Sequence, residues 1–319
     1  MPASHRVALA LVFVLLAALS LRQVGSLDAG FHLKAGERML QGAGWPRTDP
    51  FTFTINDHPW VDTSWGYQVL LAAVHSIAGA PGITLMHAAL VLLVFFTLYR
   101  TSRLPPFDPS TLILVLLASA VACEMRYEAR PELVSWLMLA LVLHLLHRHA
   151  EGLGSALPAL AAIHLIWANL HGLFVLGWAA IACFLAGLWL RHRRLDRRLA
   201  FWGAVSVMIT LANPYGWRGA LFPFTLATRL GGDNVFGQSI GEFVSPFTLG
   251  LSEQFPFYPR APIGAFAVIA ALAILSTLLH LRQRRYWYCL LTLALAPLAF
   301  GMVRNIPLLV VSCVPGIVW

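Results

Sequence analysis

Apolar runs long enough to be helices recur along this chain, at residues 7–25, 66–80, 82–99, 110–123, 133–147, 156–169, 172–190, 199–212, 262–281, 287–303 and 306–319. Hydrocarbon offers no water to an unpaired amide, so such runs close their hydrogen bonds internally, as helices. With 59% hydrophobic and only 11% charged residues, the chain has too little polar side chain to clothe a water-soluble surface. The expected fold is all-α: a polytopic transmembrane bundle of about nine or ten spans in one domain over residues 1–319. Behind His5 and Arg6, the first run reads as an uncleaved span rather than a signal peptide ending near Ala17 and Ala18. The last run is still open at Trp319, which leaves a further segment an open expectation.

Several function classes are excluded. The formal charge of +8 sits in short basic clusters between apolar runs, not in a groove-tracking patch, so no nucleic-acid partner is expected. Cys123, Cys183, Cys289 and Cys313 fall singly in or beside apolar runs, which gives neither a disulfide framework nor a zinc site. No phosphate-cradling Gly loop, catalytic Ser motif or zinc-protease His pair is present.

The basic clusters orient the bundle. Arg191 to Arg198 and Arg282 to Arg285 are the strongest and are assigned to the cytoplasm, as is the N-terminus. Counting spans outward then places Asp28 to Trp65, Glu124 to Glu132, Asn169 to Gly172, Asn213 to Gly216, Gly241 to Pro246, and Arg304 with Asn305 on the outer face. The polar stretch 26–65 becomes a large first extracytoplasmic loop, and 213–261 a second. Two apolar runs separate the first loop from cytoplasmic Arg100, and only one of them can cross. The shorter, 66–80, flanked by Trp65 and Tyr67 and interrupted by His75 and Ser76, is read as an interfacial helix.

Polar residues gathered on one face suggest one site. Asp28 and His32 lie four apart and share a face if the first helix continues; Asp28 then serves as a general base or a cation ligand, or else it caps the next helix. Arg126 and Arg130 suit bidentate recognition of phosphate, with Glu128 and Glu132 holding them; the alternative is an interfacial ion-pair cluster without a ligand. Asn169, His171 and Asn213 are either intramembrane functional groups or ordinary turn chemistry. His144, His147 and His149 read as interfacial, snorkelling histidines.

Asp28-x-x-Phe31-His32-Leu33-x-x-Gly36-Glu37, Pro46-Arg47-Thr48-Asp49-Pro50-Phe51-Thr52-Phe53-Thr54 and Pro59-Trp60-Val61-x-x-x-Trp65 resemble a large group of bacterial integral membrane proteins. The resemblance continues through Ala129-Arg130-Pro131, Trp167 to Gly172, Asn213 to Gly216, Glu242-Phe243-x-Ser245-Pro246 and Arg304-Asn305-Ile306-Pro307, so it covers nearly the whole chain. That group is similar, more remotely, to GT-C glycosyltransferases: protein O-mannosyltransferases, oligosaccharyltransferases and the aminoarabinose transferases of lipid A. The sequence departs from the group at Ser26 and Ser64, where acids are usual.

The resemblance implies inverting transfer of a sugar from a polyprenyl-phosphate donor to a lipid, glycan or protein acceptor at the outer face of a bacterial inner membrane. Asp28 and Glu132 would be the catalytic acids, and His32, Arg126, Glu128, Arg130, Asn169, His171 and Arg304 the donor-phosphate and substrate contacts. A divalent cation, Mg2+ or Mn2+, would be the cofactor, with Asp28 as its ligand. The alternatives are a non-catalytic scaffold of an envelope-polysaccharide complex, or a lipid or solute transporter or flippase. The topology makes one immediate prediction: a reporter fused after Ala80 is active on the extracytoplasmic side, and a cytoplasmic signal there would overturn the assignment.

Overall fold

The computed structural model describes residues 1–54, 58–104, 107–154, 156–230, 240–251 and 260–319. Residues 231–239 and 252–259 of the expected second outer region, and Asp57 of the first loop, lie outside these. All regular elements among the described residues are helices: α1 (Ala3–Ser20), α2 (Ala29–Arg38), α3 (Trp65–Ser102), α4 (Pro109–Ala122), α5 (Glu132–Ala150), α6 (Pro158–Leu170), α7 (Val175–His192), α8 (Arg197–Met208), α9 (Trp217–Leu230), α10 (Pro246–Leu251), α11 (Arg260–Arg282), α12 (Tyr286–Gly301) and α13 (Ile306–Val318). Among the described residues, five segments are long and apolar enough to cross a membrane: α1, α3, α5, α11 and Gly172–His192, which contains α7. Pro109–Ala122, Pro158–Leu170, Tyr286–Gly301 and Val303–Val318 are apolar but shorter.

The last helix organises the rest. Almost all of α13 is buried, from Ile306 through Gly316, and it packs against α3, α4, α5, α11 and α12. A helix apolar on every side belongs in a core. The outer helices turn oily stripes the other way: Val7, Leu11 and Val14 on α1 and Ile274, Leu275 and Leu278 on α11 are exposed. The spacing of three and four keeps each stripe on one helical face, and hydrocarbon is the solvent that tolerates it.

α3 is not a rod. Gly79 takes φ 60 and ψ −156, a region open to glycine, and Pro81 follows it. On a straight helix Tyr67 and His87 would be about 30 Å apart. Instead Tyr67 Oη and His87 Nε2 lie 2.8 Å apart, so the two segments fold back beside each other. Tyr67, Leu71 and Ile83 form a small apolar cluster in the angle. Trp65 Nε1 donates to Asn169 Oδ1 at one end of the bundle, while Ser102 accepts from Trp319 Nε1 at the other.

Polar contacts cap both ends. At one lie Thr101 with His144, His149 with Asp196, and Arg285 with Glu151. At the other lie Arg22 with Glu124 and the cluster described below. α5 joins them, with Glu132 at its start and His147, about 22 Å further on, near its finish.

Three expectations are corrected. The first helix ends at Ser20 rather than near residue 25, because Arg22 turns back to the Leu19 carbonyl at 2.7 Å and pairs with Glu124. α9 forms where only a loop was expected; it is amphipathic, exposing Trp217, Leu221 and Phe224. His147 does not snorkel: it is fully buried, its ring stacked on Tyr288 at 4.7 Å.

α2 lies against the first segment of α3 with no room to spare. A Cβ on Gly36 would sit 2.0 Å from the Gln68 carbonyl oxygen and 2.9 Å from the Ala72 methyl. Gly36→Ala is therefore expected to push α2 off α3 and destabilise the protein by about 1–3 kcal/mol, read as a lower unfolding temperature in detergent. An unchanged melt would mean that the two helices do not pack this closely.

Candidate functional site

Four short turns at one end of the bundle deliver the charged residues. Pro131 disfavours helical backbone at the residue before it, so the chain between α4 and α5 makes a single 3-10 turn, Glu124–Arg126, and α5 begins at Glu132. Two further 3-10 turns, Gly241–Phe243 and Val303–Asn305, bring in Glu242 and Arg304. The fourth is the turn into α2. There Asp28 occupies the N-cap position, yet its side chain makes no capping hydrogen bond.

Arg126 is the centre. Its Nε and Nη2 donate to Glu132 Oε1 at 2.9 and 2.5 Å, and its Nη1 donates to Glu242 Oε2 at 2.6 Å. Arg130 shares that Glu242 oxygen at 2.8 Å, reaches Glu128 at 3.2 Å and faces Asp28 Oδ2 at 3.6 Å. Arg304 lies 3.5 Å from Glu132 and 3.6 Å from Glu242, with its guanidinium over the Phe243 ring. Burial works against the charge of Arg126, but Glu132 and Glu242 outweigh it and keep the guanidinium protonated. Its side chain is 7% exposed, against 51% for Asp28.

The expected site residues thus divide. Asp28, Arg126, Glu128, Arg130, Glu132 and Arg304 form one network. Arg126 and Glu132 are its buried interior, while Asp28 is its most open acid. Glu242, placed on this face by the sequence but given no role, binds two arginines tightly and faces a third. His171 lies within electrostatic reach of Glu132, Arg304 and His32, with Nδ1 2.7 Å from Ser135 Oγ. Asn169 does something else: it accepts from Trp65 and donates to the Leu165 and Ala212 carbonyls, tying α3, α6 and the end of α8 together. The network is four carboxylates against three guanidiniums. Each acid faces an arginine, and among the described residues no three His, Cys, Asp or Glu gather where they could hold a metal ion.

Beside Asp28, α2 covers a second, buried polar chain. Gln68 Nε2 lies 3.2 Å from His32 Nδ1 and donates at 3.2 Å to Asp62 Oδ1, which also accepts from Ser64 N. Asp62 Oδ2, Gln68 Oε1 and Ser26 Oγ are buried without a hydrogen-bond partner among the described residues. Burial lowers the His32 ring to about 4, despite the favourable field of Asp28. The only sequence signal for Gln68 was one amide inside an apolar run.

No family model, no curated protein and no solved structure matches the chain.

Burial also pushes the Asp62 carboxyl up to about 6 from 3.8, against the bonds from Ser64 and Gln68. The folded state then binds its proton more tightly than the unfolded one, so stability falls as pH rises from about 4 to 6, and the whole cost is present above that. About two pH units correspond to roughly 3 kcal/mol as an upper bound. Asp62→Asn is expected to stabilise the protein at pH 7–8, with an advantage that fades toward pH 4, measured by unfolding across that range. A destabilisation independent of pH would show that the charge is not what costs.

Proposed function

We propose that this chain is a membrane glycosyltransferase of the GT-C type, moving a sugar from a polyprenyl-phosphate donor to an acceptor hydroxyl at the outer face of a bacterial inner membrane. The observation that supports this reading is the Asp28–Arg130 pair: a half-open carboxylate 3.6 Å from a guanidinium that buried ion pairs hold in place. A base and a phosphate-binding cation side by side at the end of an apolar bundle are what such a transfer needs.

In this reading Asp28 accepts the proton of the acceptor hydroxyl as that oxygen attacks the anomeric carbon. The new glycosidic C–O bond forms opposite the breaking bond to the donor phosphate, so configuration inverts. The electron pair of the broken bond leaves on the phosphate, where Arg130 and Arg304 meet the developing charge. Both are more exposed than Arg126, whose donors Glu132 and Glu242 already occupy. Glu132 then acts as a positioning acid for Arg126 and Arg304.

A non-catalytic scaffold is the second reading, and the saturated pairing of Arg126 favours it, since a purely structural ion cluster would look the same. Asp28→Asn separates the two. An exposed pair at this distance contributes at most about 1 kcal/mol, so the variant should melt like the parent. A catalyst should lose roughly 10²–10⁴ in transfer rate from a radiolabelled polyprenyl-phosphate sugar in membranes. Retention of transfer within a few-fold would sink the assignment of Asp28.

A further inference from the structure

The Pro46 to Phe51 motif takes no part in the Asp28 network. It builds a separate cavity of about 240 Å³ at the far end of α2, lined among others by Ala35, Arg38, Trp45, Arg47, Phe51 and Trp60. Its lining on α2 runs from Ala35 to Arg38, about 10 to 15 Å along the helix from Asp28.

The pocket is constructed, not incidental. After α2 the chain swings round through Met39–Ala43, with Gly42 at φ 89 and Gly44 at φ 70 supplying left-handed turns. Thr48 and Pro59 then form an antiparallel bridge, closed by Asp49 N donating to the His58 carbonyl and Trp60 N to the Arg47 carbonyl, each at 2.9 Å. This fixes Arg47 and Trp60 side by side. From far along the chain, Tyr215 Oη donates to the Pro46 carbonyl at 2.7 Å and pins the wall. Trp60 is braced by Phe51 and Phe31 at ring distances of 6.0 and 6.1 Å, and Trp45 by Trp65 at 5.9 Å.

The charges here are unlike those around Arg126. Two nearby acids among the described residues are spoken for: Glu37 pairs with Lys34, and the Asp49 carboxylate is turned onto its own loop, accepting from Phe51 N, Thr52 N and Thr52 Oγ1. Arg38 and Arg47 are exposed and have no acidic partner among the described residues. Two guanidiniums without an acidic partner among the described residues call for a carboxylate or phosphate, which they can grip bidentately. Indole faces call for polarised C–H groups, such as those on one side of a pyranose ring.

We infer that this pocket is a second subsite that holds an acidic saccharide, a sugar ring bearing a carboxylate or phosphate, as part of the acceptor. Only the word acceptor rests on the glycosyltransferase reading. An anionic lipid headgroup offers the same charge, but it needs only a flat basic surface, not a walled cavity with indoles.

The experiment is equilibrium binding of radiolabelled D-glucuronate and glucose 6-phosphate to the full chain in phosphatidylcholine nanodiscs. Both should bind saturably and compete with each other, and glucose should bind about tenfold or more weakly. Arg47→Gln and Trp45→Ala, both at exposed positions, should each lose about tenfold in affinity while melting as the parent does. Should either variant fail to fold, Arg38→Gln replaces it. Asp28→Asn should bind as the parent, so that loss of the transfer reading leaves this result standing. The inference is overturned if glucose binds as tightly as glucuronate, if inorganic phosphate matches glucose 6-phosphate, or if neither acid binds saturably. It is also overturned if phosphatidylglycerol in the nanodisc competes with the sugar acids, which would assign the pocket to a lipid headgroup.

Discussion

The buried guanidinium of Arg126 is the interaction on which one end of this bundle depends. Taking an ion out of water costs several kcal/mol, and only close partners recover it. Glu132 and Glu242 are those partners, at 2.5 and 2.6 Å. One lies at the start of α5 and the other on a turn more than a hundred residues later, so the ion pairs fix the relative position of two helix ends that no backbone bond joins directly. The consequences run outward. Glu242, once held, receives Arg130, and Arg130 meets Asp28. Arg304 packs on Phe243 and points back at both acids. The open carboxylate of Asp28 is thus positioned through a chain of charges whose interior is largely withdrawn from water.

That arrangement needs a rigid floor, and α13 supplies it. A helix of 13 residues is about 20 Å long, shorter than the hydrocarbon core. It is sheathed by α3, α4, α5, α11 and α12, so it meets its neighbours rather than lipid. The 3-10 turn that carries Arg304 leads straight into it. Rigidity of the core is therefore passed to one arginine of the network within a single turn.

Much of this could be read from the sequence, for definite reasons. Apolar runs give helices wherever the backbone must satisfy itself, and the punctuation Gly79-Ala80-Pro81-Gly82 marks the break in α3. The polar turns could be placed together because the apolar runs between them, counted as alternate crossings, return the chain to the same end, and Arg126, Arg130, Glu132, Glu242 and Arg304 do converge there. What stayed hidden depends on partners distant in sequence. His147 looked like an end-of-helix histidine because nothing local shows that Tyr288 will stack on it. Glu242 had no evident role until Arg126 and Arg130 were seen to converge on it. Asp28 could be read as a cap, and its position is that of one; only the third dimension supplies Arg130 in place of a backbone amide. Gln68 gave no more than a single polar letter in an oily run, although its amide joins His32 to Asp62.

The first loop keeps two kinds of charge apart by means of one short helix. At the start of α2, Asp28 belongs to a network with one carboxylate more than guanidiniums, so every arginine there is already engaged. At its finish, Arg38 and Arg47 face no acid among the described residues, and indoles stand beside them. An acidic molecule approaching this end of the bundle would meet Arg38 and Arg47 at lower electrostatic cost than the engaged arginines, because no ion pair among the described residues has to be broken. α2 is locked on α3 at Gly36, which sets the two ends a fixed distance apart. The contrast between the two ends then follows from where acids are missing among the described residues as much as from where arginines are placed.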